Sequence, residues 1–210
     1  MVGVQDKDFG ALPNSDDLTD SSGDPELDKA LGKALVRMAK TFQVNPSFAF
    51  FADGQRPNAY ASPDSTVAGT AGSVIFGKSL FQDQFKRYSD GGLSVVAIIA
   101  HEFGHICQFN LGLQKELRGS EKTVRRIELH ADYMSGWYLG LLKRNNPSVS
   151  LWACGDTFNR IGDTKFNEEQ HHGTPKERVA AAEMGFAFGQ NGSTDVKSAI
   201  EQGKSYILTI

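Results

Sequence analysis

Residues 93–113 read LSVVAIIAHEFGHICQFNLGL, introduced by Gly91-Gly92. Coiled as a helix, this segment is apolar almost all the way round, which predicts a buried central helix ending near Gly112. Set inside it is HEFGH, residues 101–105. Side chains four apart stand one above the other on a helix, so His101 and His105 can offer two imidazole nitrogens to one ion. Glu102 lies about 100° round from His101, beside such an ion rather than on it, where it can hold and deprotonate a water. Two histidines and a glutamate in so apolar a helix would cost several kcal/mol to bury without partners. A metal ion supplies that partner.

A catalytic zinc site needs a third protein ligand and an open fourth position. The metzincin extension would require Gly at 108 and His at 111, where this chain has Gln108 and Leu111. Downstream, residues 128–132 read ELHAD, 23 positions beyond His105. That spacing leaves room for a turn over 112–119 and a returning antiparallel helix. Glu128 and Asp132 share one face of the returning helix. Glu128 can therefore ligate while Asp132 accepts the outer N–H of a ligating histidine, which orients the ring and makes it more basic. His130 is the rival third ligand. It lies about 200° from Glu128, so only one of the two can face the ion.

Outward from these two helices, Asp24-Pro25 predicts a helix start, with Leu27, Leu31, Leu35 and Met38 on one face and an end before Asn45-Pro46. Short β-like runs follow at 47–51 (SFAFF), 58–61 (NAYA) and 73–77 (SVIFG), then a helix over 78–88. Further helices are expected at about 120–144, 150–162, 174–189 and 194–204. The layout predicts an α+β fold, mostly helical, with a small sheet in front of the HEFGH helix. Its phenylalanines (Phe48, Phe50, Phe51, Phe76, Phe81, Phe85, Phe103 and Phe109), with Trp137, Tyr138 and Cys107, read as core.

The 210 residues suit a single domain over 25–210 behind an acidic lead-in at 1–24. Residues 1–28 hold eight acidic residues against Lys7 alone, with few apolar ones, which predicts a flexible segment. The net charge of −3 gives no claim on nucleic acid. No run is long and apolar enough to span a membrane, and the first residues lack the shape of a signal peptide. The chain is expected to be soluble: cytoplasmic if residue 1 is the native start, periplasmic or secreted if an upstream signal or anchor was removed. Two cysteines, Cys107 and Cys154, permit at most one disulfide. There is no G-x-S-x-G elbow, P-loop or EF-hand loop.

HEFGH followed by IELHADYMSGWYLG resembles the predicted neutral zinc metallopeptidases of bacteria, a glutamate-zincin family whose second motif has the form E-L-x-A-D. It is more distantly similar to the CAAX-prenyl protease and heat-shock peptidase group. HHGTPKERVAAAEMG at 171–185 extends the likeness, with His172 and Arg178 at the family's His-to-Arg spacing, and NAYA resembles the strand that precedes the zinc helix. The resemblance covers about residues 55–190. It implies a zincin-like domain with one zinc (Zn2+) per chain, His101, His105 and Glu128 as ligands, and Glu102 as catalytic base. By the same resemblance His172 and Arg178 are candidate catalytic donors to a developing oxyanion, with Tyr133 a weaker one. His130 stands where the family commonly has Gln.

The expected function is zinc-dependent hydrolysis of a peptide or protein substrate. An extended substrate can pair with the free edge of the NAYA strand. The competing reading is a zincin-fold metal-binding or regulatory module that hydrolyses nothing, against which the intact Glu102 speaks. A metal-free structural domain is disfavoured by the cost of burying His101 and Glu102 unpaired.

Overall fold

A computed structural model of the chain describes residues 13–54, 57–87, 92–151 and 171–210. Helix α1 (Pro25–Phe42) starts where Asp24 accepts hydrogen bonds from the Glu26 and Leu27 N–H groups and Pro25 fills the first turn. Its inward face places Phe42 against Phe103, Trp137 and Tyr138, at ring-centroid distances of 5.7, 5.6 and 5.6 Å. One aromatic side chain thereby bolts α1 to both helices of the candidate site.

Strands β1 (Ser47–Phe51), β2 (Ala59–Ser62) and β3 (Ser73–Gly77) form one sheet in the order β1-β3-β2, with β3 parallel to β1 and antiparallel to β2. The central strand β3 is buried at every position, while the outer two are partly exposed. Phe50 and Phe76 meet Phe81 of helix α2 (Lys78–Arg87), which covers the sheet. Asp53 caps α2 by accepting from the Ser79 and Leu80 N–H groups at 2.7 and 3.0 Å. At Gly72 a Cβ would lie 2.6 Å from the Ser62 carbonyl and 2.9 Å from Ile106 Cδ1, so a bare backbone is needed where the sheet meets the helix that carries Ile106.

Helix α3 (Leu93–Leu111) is the central element that its composition predicts, with the bare Gly112 in the left-handed conformation closing its end. The turn expected over 112–119 contains a short helix, α4 (Gln114–Arg118), and α5 (Arg125–Asn145) accordingly begins five residues later than periodicity suggested. Helices α6 (Pro175–Asn191) and α7 (Val196–Ile207) complete the described chain. The helix expected at 150–162 falls, from residue 152 onward, outside the described residues, as does Cys154. Among the described residues the fold is α+β, with seven helices and one three-stranded sheet. No helix among them is long and apolar enough to cross a membrane.

The acidic lead-in does not stay apart from the fold along its whole length. Thr19 exchanges backbone hydrogen bonds with Phe50 at 2.9 and 2.7 Å, closing the outer edge of β1. Ser21 and Ser22 donate to the Asp28 carboxylate at 2.7 and 2.9 Å. The acidic residues nearest α1 thus serve its start, and residues 1–12 lie outside the described part.

Helices α5 and α6 touch backbone to backbone. A Cβ on Gly136 would lie 2.0 Å from the Ala182 carbonyl oxygen, and one on Gly140 would lie 2.3 Å from that of Phe186. From the other side, Gly185 and Gly189 would place theirs 1.9 and 2.1 Å from the Tyr133 and Trp137 carbonyls. Each helix contributes two glycines spaced four apart, one turn above the other. The contacts advance in the same direction along both, so α5 and α6 run parallel.

Candidate metal centre

The two halves of the site sit on antiparallel neighbours, α3 and α5. Gly104, the small residue inside HEFGH, faces Ala131 and Met134, where an added Cβ would lie 3.1 and 3.3 Å away. Two turns back along α3, Ser135 Oγ donates to the Ala97 carbonyl at 2.7 Å. These close approaches set the face of α3 that carries His101 and His105 against the face of α5 that carries Glu128 and Asp132.

Three ligand atoms converge. His101 Nε2 and His105 Nε2 are 3.0 Å apart, and they lie 3.4 and 3.3 Å from the Glu128 oxygens Oε2 and Oε1. Among the described residues this is the one group of His, Cys, Asp and Glu arranged to hold a metal ion. Bonds of about 2.1 Å in a tetrahedral site put neighbouring ligand atoms about 3.4 Å apart, close to the spacings observed. His101, Glu102 and Glu128 retain 6–7% exposure, whereas Asp132 behind them retains none, so the ligand side is the less deeply buried of the two.

The outer nitrogens explain why the inner ones can bind a cation. His101 Nδ1 lies 2.8 Å from Asp132 Oδ1, and a carboxylate only accepts, so Nδ1 carries the proton. His105 Nδ1 lies 2.9 Å from Gln108 Oε1 and is likewise the donor. Both neutral rings therefore turn an Nε2 lone pair inward, facing each other and a carboxylate. Three electron pairs so directed repel unless a cation or protons lie between them. This fits a metal.

Arg178, on α6, donates to Asp132 through Nε at 2.7 Å and Nη2 at 2.8 Å, and its Nη2 stands 3.6 Å from Glu128 Oε2. At 2% exposure it offsets the negative charge behind the ligands. Those two nitrogens face the support of the site. The structure ties Arg178 to the ligand cluster, and His172 is half-buried in the segment leading into α6. The Tyr133 ring packs beside Phe188 and Tyr206 and against Gly203, away from the ligands. His130 is not a ligand. It is fully buried, with Nδ1 3.1 Å from Gln108 Nε2 and Nε2 3.3 Å from the Ile200 carbonyl, and burial holds its pKa down to about 4. Cys107 is a free, buried thiol whose pKa burial pushes up to about 12, in keeping with core packing.

Burial raises the Glu102 carboxyl pKa, and the nearby Glu128 charge adds to this against the pull of His101, His105 and Arg178. No described residue hydrogen-bonds its carboxyl group. Glu128 is the opposite case: burial works against its charge, but His105 and His101 hold it ionised well below the usual range. For His101 burial opposes the charged ring, yet Asp132 and Glu128 override it and raise the pKa to about 10; His105 is raised as well, through Glu128. Without metal, protons occupy the place of the cation.

Two expected results follow from these charges. Because His101 is raised from 6.5 to about 10, its contribution to the metal-free fold is complete below pH 6.5 and is lost as pH rises through 10. Metal must displace those protons, so its binding tightens with pH. The thermal shift on adding zinc to chelator-treated protein is therefore larger at pH 8.5 than at pH 6.5, as melting curves at the two pH values would record. Separately, Asp132→Ala takes from the buried Arg178 the carboxylate that accepts its Nε and Nη2 hydrogen bonds and is expected to cost about 3–5 kcal/mol in urea unfolding of the metal-free protein. Pairing it with Arg178→Met recovers part of that loss, since no charge is then stranded.

Sequence reasoning treated position 108 only as a missing glycine and so missed Gln108 as a partner of His105. Its place three residues on, one turn along the same face, was the available signal. Comparison with protein-family models, with curated proteins and with solved structures finds no significant match, so what the site can do has to be read from its own geometry.

Proposed function

We propose that this chain is a zinc-dependent metallopeptidase that hydrolyses peptide bonds, with His101, His105 and Glu128 as ligands and Glu102 as general base. The observation that carries the reading is the convergence of three ligand atoms, the two imidazoles braced from behind, beside a buried glutamate whose carboxyl no described residue hydrogen-bonds. A site that merely stored an ion would have no use for that second carboxylate. Two imidazoles and one carboxylate suit zinc, which when bound supplies a Lewis acid able to acidify a water and polarise a carbonyl.

The remaining work belongs to the chain. Glu102 accepts the proton of the attacking water at its carboxylate and hands it to the departing amine nitrogen. Its raised pKa suits a group that must both take and release a proton. Asp132 holds His101 in the tautomer that presents Nε2, and Arg178 acts through Asp132 as a positioning residue. His172 and Arg178 are the candidate donors to the developing oxyanion, on the family resemblance. The sheet offers a dock for an extended peptide. Thr19 closes the outer edge of β1, whereas no described strand covers the outer edge of β2, the NAYA strand, which packs on α3.

The reading is tested with zinc-loaded protein and a mixed peptide library, with cleavage products identified by mass spectrometry. Cleavage that a chelator abolishes and added zinc restores is the expected result. Fully zinc-loaded protein that cuts nothing in the library would overturn it.

A further inference from the structure

The second zinc-facing histidine is braced differently from the first. His101 leans on a carboxylate, but His105 leans on the neutral amide of Gln108, and Gln108 leans in turn on two other elements. Gln108 Nε2 donates to the Ile127 carbonyl at 2.9 Å, and a carbonyl can only accept. This identifies the amide nitrogen and therefore the oxygen, which faces His105 Nδ1 at 2.9 Å. The second amide N–H meets His130 Nδ1 at 3.1 Å, making that nitrogen an acceptor and leaving the His130 proton on Nε2. His130 Nε2 then donates to the Ile200 carbonyl of α7 at 3.3 Å.

Two main-chain carbonyls, one in α5 and one in α7, thus fix the polarity of a four-member chain: His105 to Gln108, Gln108 to His130, His130 to Ile200. Gln108 and His130 are both fully buried. Bulk water reaches neither, and no member can reverse without leaving a donor facing a donor.

We propose that Gln108 is a positioning residue for the metal centre, holding His105 as the Nδ1–H tautomer so that Nε2 faces the ion, with His130 and the α7 backbone locking its amide. The inference rests on the proposed metal site but not on peptide hydrolysis. Gln108 is not a ligand, since its Oε1 takes the outer proton of His105. Its effect is on metal affinity and on the tautomers. The C-terminal helix α7 becomes, through Ile200, part of the outer support of the site.

Zinc affinity is measured by competition with a chelating dye, using the whole chain. Gln108→Met, similar in length but without an acceptor for His105, is expected to weaken zinc binding by about 10–100-fold. Gln108→Glu restores the acceptor for His105 but offers no donor to Ile127 or His130, so it is expected to recover only part of the affinity lost in Gln108→Met, a rescue that mere packing would not produce. Equal zinc affinity in wild type and Gln108→Met would overturn the proposal. An independent readout needs no variant: long-range proton–nitrogen NMR of the zinc-loaded protein should show His105 protonated at Nδ1 and His130 neutral and protonated at Nε2. His130 protonated at Nδ1 would overturn it. Both readouts stand whether or not the wild type cleaves peptides, so the fate of the peptidase reading is decided separately.

Discussion

Glu102→Gln is expected to lower peptide hydrolysis by about 10²–10⁴-fold while leaving zinc content unchanged. The glutamine keeps the shape of the side chain and removes the group that takes the proton. Glu102 lies outside the three-atom ligand set, so losing its charge does not release the ion. Glu128→Gln should behave in the opposite way, losing zinc first and activity with it, because Glu128 bridges both histidines at 3.3–3.4 Å. Measuring zinc content and turnover on the same preparations separates the two roles. A Glu102→Gln protein as active as wild type would remove Glu102 from the mechanism.

The second large effect concerns α5 and α6. Gly185→Ala places a Cβ 1.9 Å from the Tyr133 carbonyl oxygen, where even a close carbon–oxygen contact needs about 3.3 Å. The obstacle is main chain and no side-chain rotation relieves it, so the helices must part. The expected cost is about 3 kcal/mol or more, a large share of the roughly 5–15 kcal/mol that holds a domain folded. Parting them also draws Arg178 off Asp132, so zinc affinity should fall with stability. Gly32→Ala is the matched control. Gly32 sits within α1 with nothing within 4 Å of the new Cβ, and the same substitution there should stabilise by about 0.5–1 kcal/mol. Urea unfolding of the two variants gives the contrast directly.

What was legible in the sequence was what depends on spacing within one helix. His101 with His105, and Glu128 with Asp132, are pairs four apart, and helical geometry alone puts each pair on one face. The near-continuous apolar surround of HEFGH likewise marked α3 as central, and the structure buries Ala97, Ile99, Ala100, Phe103 and Ile106 around it. That Glu128 and His130 cannot both face the ion also followed from rotation about one axis, and His130 does point away, to Gln108 and Ile200.

Features that depend on a partner helix were hidden. Gly136, Gly140, Gly185 and Gly189 carry no periodic hydrophobic signal, and their meaning appears only when α5 and α6 lie side by side in parallel. Arg178 read as a donor towards substrate because its spacing from His172 matched a family pattern. In the fold its Nε and Nη2 bond to Asp132 on another helix, a partner 46 positions away. Helix α4 was missed because five residues, Gln114–Arg118, are too few to show a period.

Inductively coupled plasma mass spectrometry of freshly purified wild type, beside a His101→Ala/His105→Ala variant, is the decisive measurement. The expected result is about one zinc per chain in the wild type and under about a tenth of that in the variant. A wild type that stays metal-free even after incubation with equimolar zinc at pH 8 would contradict the site, and with it the proposed chemistry.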